Sequence, residues 1–437
     1  MVLVKDPGPE VGNKTPGLWT RMGPGLFFFL FLSLTVLVFA YGPWPWPVQD
    51  GTRLFTFLAA SHLAFAVGYF FGAVRKGRDY HGSISIPTVI TWSIGVTLVL
   101  VYPTMVAVTG QVVPNIIGAI LDPGSAYIEA YLRRQGGGGA VDFARLLVGP
   151  FLFAVVPLGI FYWRYCSPWI RGAFIFTCLA TVIAYLAIGT NRQIFMTVVL
   201  IPFILIAAQC AKTLKISRSA AIVASVLVFS LFTAGAYFFA ATQASRPGSF
   251  AVNMYFPLTG TFADSEHPIS RNLDDQTKIL FNSGTLYVAH GYFALYKALD
   301  EPFTPMYGAG NSDFLRRQIE RFSGQNDLFQ YTYPGKLEAS GWRPDLVWSS
   351  AYTYFASDLS FPGTVLLMGV IGFLFALTWL DTLRARNPFA VAMFANFVLM
   401  LLMLPGANER LQDGEGFTAF WIILIAWLLT RHKFVWK

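Results

Sequence analysis

Apolar runs, each close to the about 20 residues needed to cross roughly 30 Å of hydrocarbon, recur along this chain with short polar stretches between them. Ten are read as membrane spans: residues 25–41, 54–74, 86–110, 146–162, 169–189, 194–210, 220–241, 362–380, 388–404 and 417–430. One long polar segment, Thr242 to Ser350, interrupts the series. The pattern divides the chain into a bundle of about seven spans over residues 1–241, a large loop over 242–350 and a bundle of about three spans over 351–437. The fold class expected is an all-α polytopic membrane protein of about ten or more transmembrane helices.

Three amphipathic stretches lie outside the spans. Tyr127 to Arg134 is expected to lie in the interface, ahead of the flexible Gly136 to Gly139 run. Thr285 to Leu299, rich in Tyr and Phe, predicts a helix partly sunk in the interface. Ser312 to Phe322 predicts a second loop helix, with Ser312 as N-cap, Asp313 in the first turn and Leu315, Ile319 and Phe322 on one face. Arg317 and Arg321 share a face there, while Arg316 and Glu320 can pair.

Composition agrees with the span count: 55% of residues are hydrophobic, 12% are charged and 41 are Phe, with a mean hydropathy of +0.54. A soluble globular class is excluded. Orientation follows from Lys and Arg in the short loops, because such residues are retained on the cytoplasmic side. With the N-terminus inside, sixteen fall on the cytoplasmic side and six on the outer side (Arg53, Arg133, Arg134, Arg145, Arg192 and Arg410). The other nine of the 31 lie in the long loop, which is exempt because long segments translocate regardless of charge. The long loop is thus expected outside, with the first apolar run a retained span that continues into the rigid Pro43-Trp44-Pro45-Trp46-Pro47 stretch. The net charge of +8 is explained by topology and by contact with anionic membrane lipids, so no nucleic-acid partner is implied. Cys166, Cys178 and Cys210 lie in or beside spans on the inner half, which leaves no disulfide framework or thiolate metal site outside.

Candidate chemistry begins at Gly189-Thr190-Asn191-Arg192-Gln193, which interrupts an apolar run on both sides. An Arg between two spans is costly unless it meets an anion or a carbonyl-lined pocket, and its planar donors suit phosphate. Snorkelling to headgroups is the competing reading. At the far end of the loop, Trp348 to Gly363 (WSSAYTYFASDLSFPG) runs from aromatic, hydroxyl-rich sequence into the eighth span, with Asp358 just before a helix start at Ser360-Phe361-Pro362.

In these two segments, and in its layout from about Trp169 to Leu380, the chain resembles the oligosaccharide repeat-unit polymerases, the Wzy-type O-antigen polymerases and their relatives. They combine ten or more spans with a Gly-x-Arg-like turn, a large outer loop and an aromatic-Asp-x-x-x-x-Gly-like entry into the next span. Here the turn carries one extra residue before Arg192. The resemblance implies a GT-C-like membrane fold at the outer face of a bacterial inner membrane. It also implies a metal-independent glycosyltransferase without cofactor, acting on undecaprenyl-diphosphate-linked oligosaccharides, with a chain-length regulator as a candidate partner. The growing glycan would pass to a sugar hydroxyl of the incoming unit.

Such a reaction needs cations for the departing diphosphate, a base for the hydroxyl and walls for the sugars. Arg192, with Arg317, Arg321 and Arg410, answers the first need. His290, Asp358 and Glu338 are candidate bases, against a hydrogen-bonded interfacial His and a helix-entry cap as competing roles for the first two. Tyr287, Tyr292, Tyr331, Tyr333 and Trp342 could stack on sugars, although interfacial aromatic belts compete for each. His267 and His290 are the only histidines expected outside and lack the spacing of a metal site. Alternatives are an O-antigen ligase, whose acceptor is lipid A core and whose loop His-Asn pair is not evident here, and a lipid-linked oligosaccharide transporter. The near absence of charge within the spans and the lack of broken helices in two related halves weigh against the transporter. A structural scaffold would leave the arginine-rich loop without a role.

Overall fold

The computed structural model describes residues 16–135, 139–190, 192–215, 255–343 and 347–431, with isolated positions between 217 and 237. Seven of its described helices are long and apolar enough to cross a membrane: α1 (Leu18–Tyr41), α2 (Thr52–Ala73), α3 (Ile86–Thr109), α6 (Ala140–Phe161), α7 (Pro168–Ala187), α8 (Arg192–Cys210) and α12 (Ala351–Leu383). Between them lie α4 (Ile116–Leu121) and α5 (Pro123–Gln135), the latter containing the expected amphipathic stretch. The long loop carries α9 (Asp275–Ala298), α10 (Asp313–Ser323) and α11 (Tyr333–Ala339). After α12 come α13 (Pro388–Met403), α14 (Glu409–Gln412) and α15 (Gly414–Thr430). The expected span at 220–241 lies largely outside the described residues.

Lipid-facing and protein-facing surfaces separate as a bilayer requires. Leu26, Leu30, Leu34 and Leu37 form an exposed stripe on α1, while Phe28, Leu32, Thr35 and Phe39 on the same helix are buried. Helix α13 is apolar except for Asn396 and buried throughout residues 390–401, as expected for a helix enclosed by others. It packs against α6, α8, α12 and α15. Helices α2 and α12 approach most closely, through small residues. A Cβ on Gly68 would stand 1.9 Å from the Gly369 carbonyl oxygen, and one on Gly372 would stand 2.2 Å from that of Phe65. Backbones this near gain packing that replaces the hydrophobic drive missing inside lipid.

The helix that carries the expected span at 362–380 starts earlier than the sequence pattern indicates. Ala351 already opens α12, and Ser360 (φ 64°, ψ 170°) breaks it one residue before Phe361-Pro362 restarts the helix. Asp358 therefore sits within the helical stretch, not at a helix entry. Pro explains the restart, since it lacks the N–H that the preceding turn would have used.

The long loop is continuous with the bundle. Phe256, Leu286, Tyr292, Leu295, Tyr333 and Trp342 belong to the same buried cluster as the spanning helices. Its anchor is the Pro-Trp stretch after α1. The Trp44 indole N–H donates to the Asn282 carbonyl at 3.0 Å, Trp46 stacks on Phe293 at 5.4 Å, and the hydroxyls of Thr35 and Tyr292 lie 2.8 Å apart. Helix α9 is longer than its aromatic core suggested, because Asp274 caps it by accepting from Gln276 and Thr277. A two-residue ribbon, Tyr255–Phe256 paired antiparallel with Thr261–Phe262, completes the loop among the described residues.

Candidate functional site

Where the long loop meets the bundle, three arginines and three carboxylates gather around the turn between α13 and α15. Arg192 is the first residue of α8 and not part of a free loop. Its Nε donates to Glu409 Oε1 at 2.6 Å and its Nη2 contacts Oε2, a two-pronged pair. Its guanidinium lies over the Trp348 ring at 5.5 Å. The Arg192 side chain is 42% exposed whereas that of Glu409 is 7% exposed, so the guanidinium is the solvent-facing partner of the pair. The preceding turn is shaped by Gly189 (φ +68°), where a Cβ would meet the backbone of Pro123 and Tyr127.

Arg410 points the other way, into the bundle. Its Nε and Nη2 donate to Asn396 Oδ1 at 3.1 and 2.9 Å, and its guanidinium stands over Phe153 at 4.5 Å. Asn396 lies seven residues before the end of α13, about 10 Å down the helix at 1.5 Å per residue. A cation at that depth within an apolar bundle is costly unless neighbouring carboxylates offset it. Asp413, Glu409 and Glu415 supply that field. Burial still pulls the Arg410 guanidinium below its ordinary value. A second ion pair joins Arg145 Nη2 to Glu415 Oε2 at 2.5 Å, with Arg145 Nη1 donating to Thr104 Oγ1 at 3.0 Å. Burial pushes the Glu409 carboxyl up, and Arg192 draws it partly back. Ionised throughout, the six groups sum to zero charge.

A chain of hydrogen bonds holds this turn to the loop. Asp358 Oδ1 accepts from the N–H groups of Gly308 and Gly310 at 2.7 and 3.0 Å. Gly310 must lack a side chain, since a Cβ there would stand 2.5 Å from that of Ser357. Next to it, the Asn311 carbonyl accepts from Asn408 Nδ2 at 2.7 Å and from Gln412 Nε2 at 3.3 Å. Asn408 and Gln412 bracket Glu409 and Arg410. Asp358 thereby fixes the segment that fixes the cluster, with one carboxylate oxygen already occupied.

The other expected site residues fall in different surroundings. His290 is 2% exposed on α9; its Nδ1 lies 2.8 Å from the Leu286 carbonyl, and its Nε2 is buried without a hydrogen-bond partner. Burial pulls its imidazole down to about 4, a value that makes a weak base at neutral pH. Glu338 faces solvent at the end of α11. Arg317, its side chain 71% exposed, is 3.9 Å from Asp313, and Arg321 is exposed. The inward residue of α10 is Arg316, bonded to Glu320 at 2.8 Å and to Asp313 at 3.1 Å. Phe322, expected on the apolar face of that helix, is 84% exposed.

Among the aromatics, Tyr292, Tyr333 and Trp342 do not offer free faces: they are buried, with Tyr292 against Phe39 and Trp342 against Phe256 and Phe293. Their bulk holds loop to bundle. Tyr331 is half exposed. Tyr287 is half-buried and meets the rings of both His290 and Trp348, which places it one ring away from Arg192. Sequence reasoning missed Glu409, Glu415, Arg145, Asn396 and Trp348 as site members. The available signal was the Asn408-Glu409-Arg410 run between two apolar stretches, where a charge pair in so short a turn needs partners. Among the described residues no group of three His, Cys, Asp or Glu side chains could hold a metal ion. No family model matches the chain, and no curated protein or solved structure matches it either.

Proposed function

We propose that this chain is a membrane glycosyltransferase of the repeat-unit polymerase type, in which Arg192 receives the diphosphate of a polyprenyl-linked glycan at the membrane boundary. The observation that carries the reading is the pair formed by Arg192 and Glu409. A guanidinium half open to solvent, at the first turn of a spanning helix, is held flat by a carboxylate in the two-pronged geometry that a phosphate would also use. Glu409 stands in the ligand's place. When a phosphate displaces it, the Glu409 carboxyl, which burial pushes up, loses the guanidinium that draws it partly back.

In the proposed reaction the acceptor hydroxyl attacks the anomeric carbon of the growing glycan as the bond to the lipid diphosphate breaks. The hydroxyl proton passes to a general base, and the one negative charge that develops on the departing phosphate oxygen is met by Arg192. Trp348 and Tyr287 would line the sugar side, while Arg410, turned into the bundle, would anchor the turn that carries Glu409. The arginine-held cluster replaces the charge-neutralising role that a metal plays in other transferases.

The decisive experiment is glycan analysis of a strain lacking the gene, alongside purified protein given lipid-linked repeat unit. Polymerase activity requires loss of long chains with one unit retained in the strain, and ladders with release of lipid diphosphate in vitro. Loss of every attached unit would instead identify a ligase, and unchanged glycans with altered distribution of lipid-linked units would identify a transporter.

A further inference from the structure

We infer that the opposite end of the bundle holds a site for the phosphate-bearing headgroup of an anionic membrane lipid. An open cavity of about 330 Å³ lies there, between the loop that follows α2, helix α12 and the end of α15. Arg75, Lys76, Arg78 and Arg431 line it with the apolar side chains of Phe373 and Leu377, and its lining among the described residues includes no carboxylate. The cavity is shaped by fixed contacts. Buried Asp381 accepts from Arg431 Nε at 2.8 Å, from the Trp427 indole at 2.9 Å and from the Arg78 backbone N–H at 2.7 Å. Gly77 allows the loop to lie on α12, since a Cβ there would stand 2.5 Å from the Leu380 carbonyl oxygen.

A soluble anion needs only the cations, but this cavity opens onto an apolar track. Leu366, Val370, Phe373 and Leu377 follow one another at helical spacing along one face of α12. The two farther from the cavity, Leu366 and Val370, are 73% and 52% exposed. A diacyl phospholipid fits both parts: the phosphodiester meets Arg75 and Lys76, and an acyl chain lies along the track. The cluster around Arg192 and Glu409 belongs to the other end of the helices, so this site is independent of the proposed reaction.

The test is thermal stabilisation of the full chain in neutral detergent by dioctanoyl phosphatidylglycerol, with dioctanoyl phosphatidylcholine and glycerol phosphate as comparison ligands. Phosphatidylglycerol is expected to stabilise at the lowest concentration. Arg75→Gln with Lys76→Gln should weaken that effect on the order of 30-fold, from a factor of about five per basic residue near anionic headgroups. Arg164→Gln with Lys215→Gln removes the same charge elsewhere at this end and should leave it unchanged. Val370→Ser should weaken the lipid and not glycerol phosphate. Equal loss in both double variants overturns the site in favour of a diffuse field. Glycerol phosphate binding as tightly as the lipid, or full lipid binding by Val370→Ser, overturns the lipid assignment. Melting points in phosphatidylcholine alone report whether each variant is folded.

Discussion

A single guanidinium decides how the site works. If Arg192 serves phosphate, Arg192→Lys keeps the charge and loses the fork, while Arg192→Ala loses both and is expected to slow ladder formation on the order of 100-fold, the effect of losing one transition-state donor worth about 3 kcal/mol. Arg192→Ala also strands Glu409, whose side chain is 7% exposed, so stability falls as well, by up to a few kcal/mol. Adding Glu409→Gln removes the stranded charge. The double variant should therefore recover its melting point and not its rate. Recovery of both would make the pair structural, and wild-type ladders from Arg192→Lys would reduce Arg192 to a snorkelling residue. His290 gives a second expectation at this scale. Its folded value of about 4 lies below the ordinary 6.5, so the unfolded chain binds the proton first as pH falls. Stability present above pH 6.5 is then lost between 6.5 and about 4, by roughly 3 kcal/mol at most. Melting curves of His290→Gln should fall less steeply across that window than those of the wild type; parallel curves would mean that the ring is not held neutral.

At the scale of elements, the contact between α2 and α12 sets the frame on which both ends of the molecule are hung. Gly68→Ala forces a methyl into the Gly369 carbonyl and is expected to cost about 1–3 kcal/mol, as overpacking does. Gly95→Ala in α3 meets nothing within 4 Å and should be neutral or slightly stabilising, since Ala favours helix over Gly by about 1 kcal/mol. Melting points of the two variants compared side by side read this contrast, and equal loss in both would mean that the close approach is not what holds the helices. Seven of the ten expected spans were legible in sequence, because lipid demands apolar runs of fixed length, and the helix over Asp313–Ser323 was legible through its Ser312 cap. Helix α12 was misread at its start because aromatic and hydroxyl residues at 348–360 resemble an interface loop, while in the fold Tyr352, Thr353 and Ser357 are packed inside. The pairs that build the site were not legible at all. Arg192 and Glu409 are 217 positions apart and Arg145 and Glu415 are 270 apart, and no local pattern encodes a contact made only by folding.

For the whole molecule, basic residues set the expectation for which side each end faces. The sequence puts sixteen basic residues of short loops on one side and six on the other. The fold adds that three of those six, Arg145, Arg192 and Arg410, sit in a cluster balanced by Glu409, Asp413 and Glu415. At the far end Arg384 and Arg386 share the single carboxylate of Asp79, each at 3.6 Å, and Arg75 and Lys76 line an open cavity. Because Lys and Arg, and not net charge, decide which end is retained in the cytoplasm, the end bearing α9, α10 and α11 is expected to lie outside. With Cys166, Cys178 and Cys210 replaced by Ala, a cysteine at exposed Gln325, just after α10, is expected to react with an impermeant maleimide in intact cells. A cysteine at exposed Lys215, beyond the far end of α8, should react only after the membrane is opened. Both positions are exposed in the fold. The reverse labelling pattern would turn the molecule over, and with it every role assigned to Arg192, because a polyprenyl-linked glycan presented at the outer leaflet could then no longer reach it.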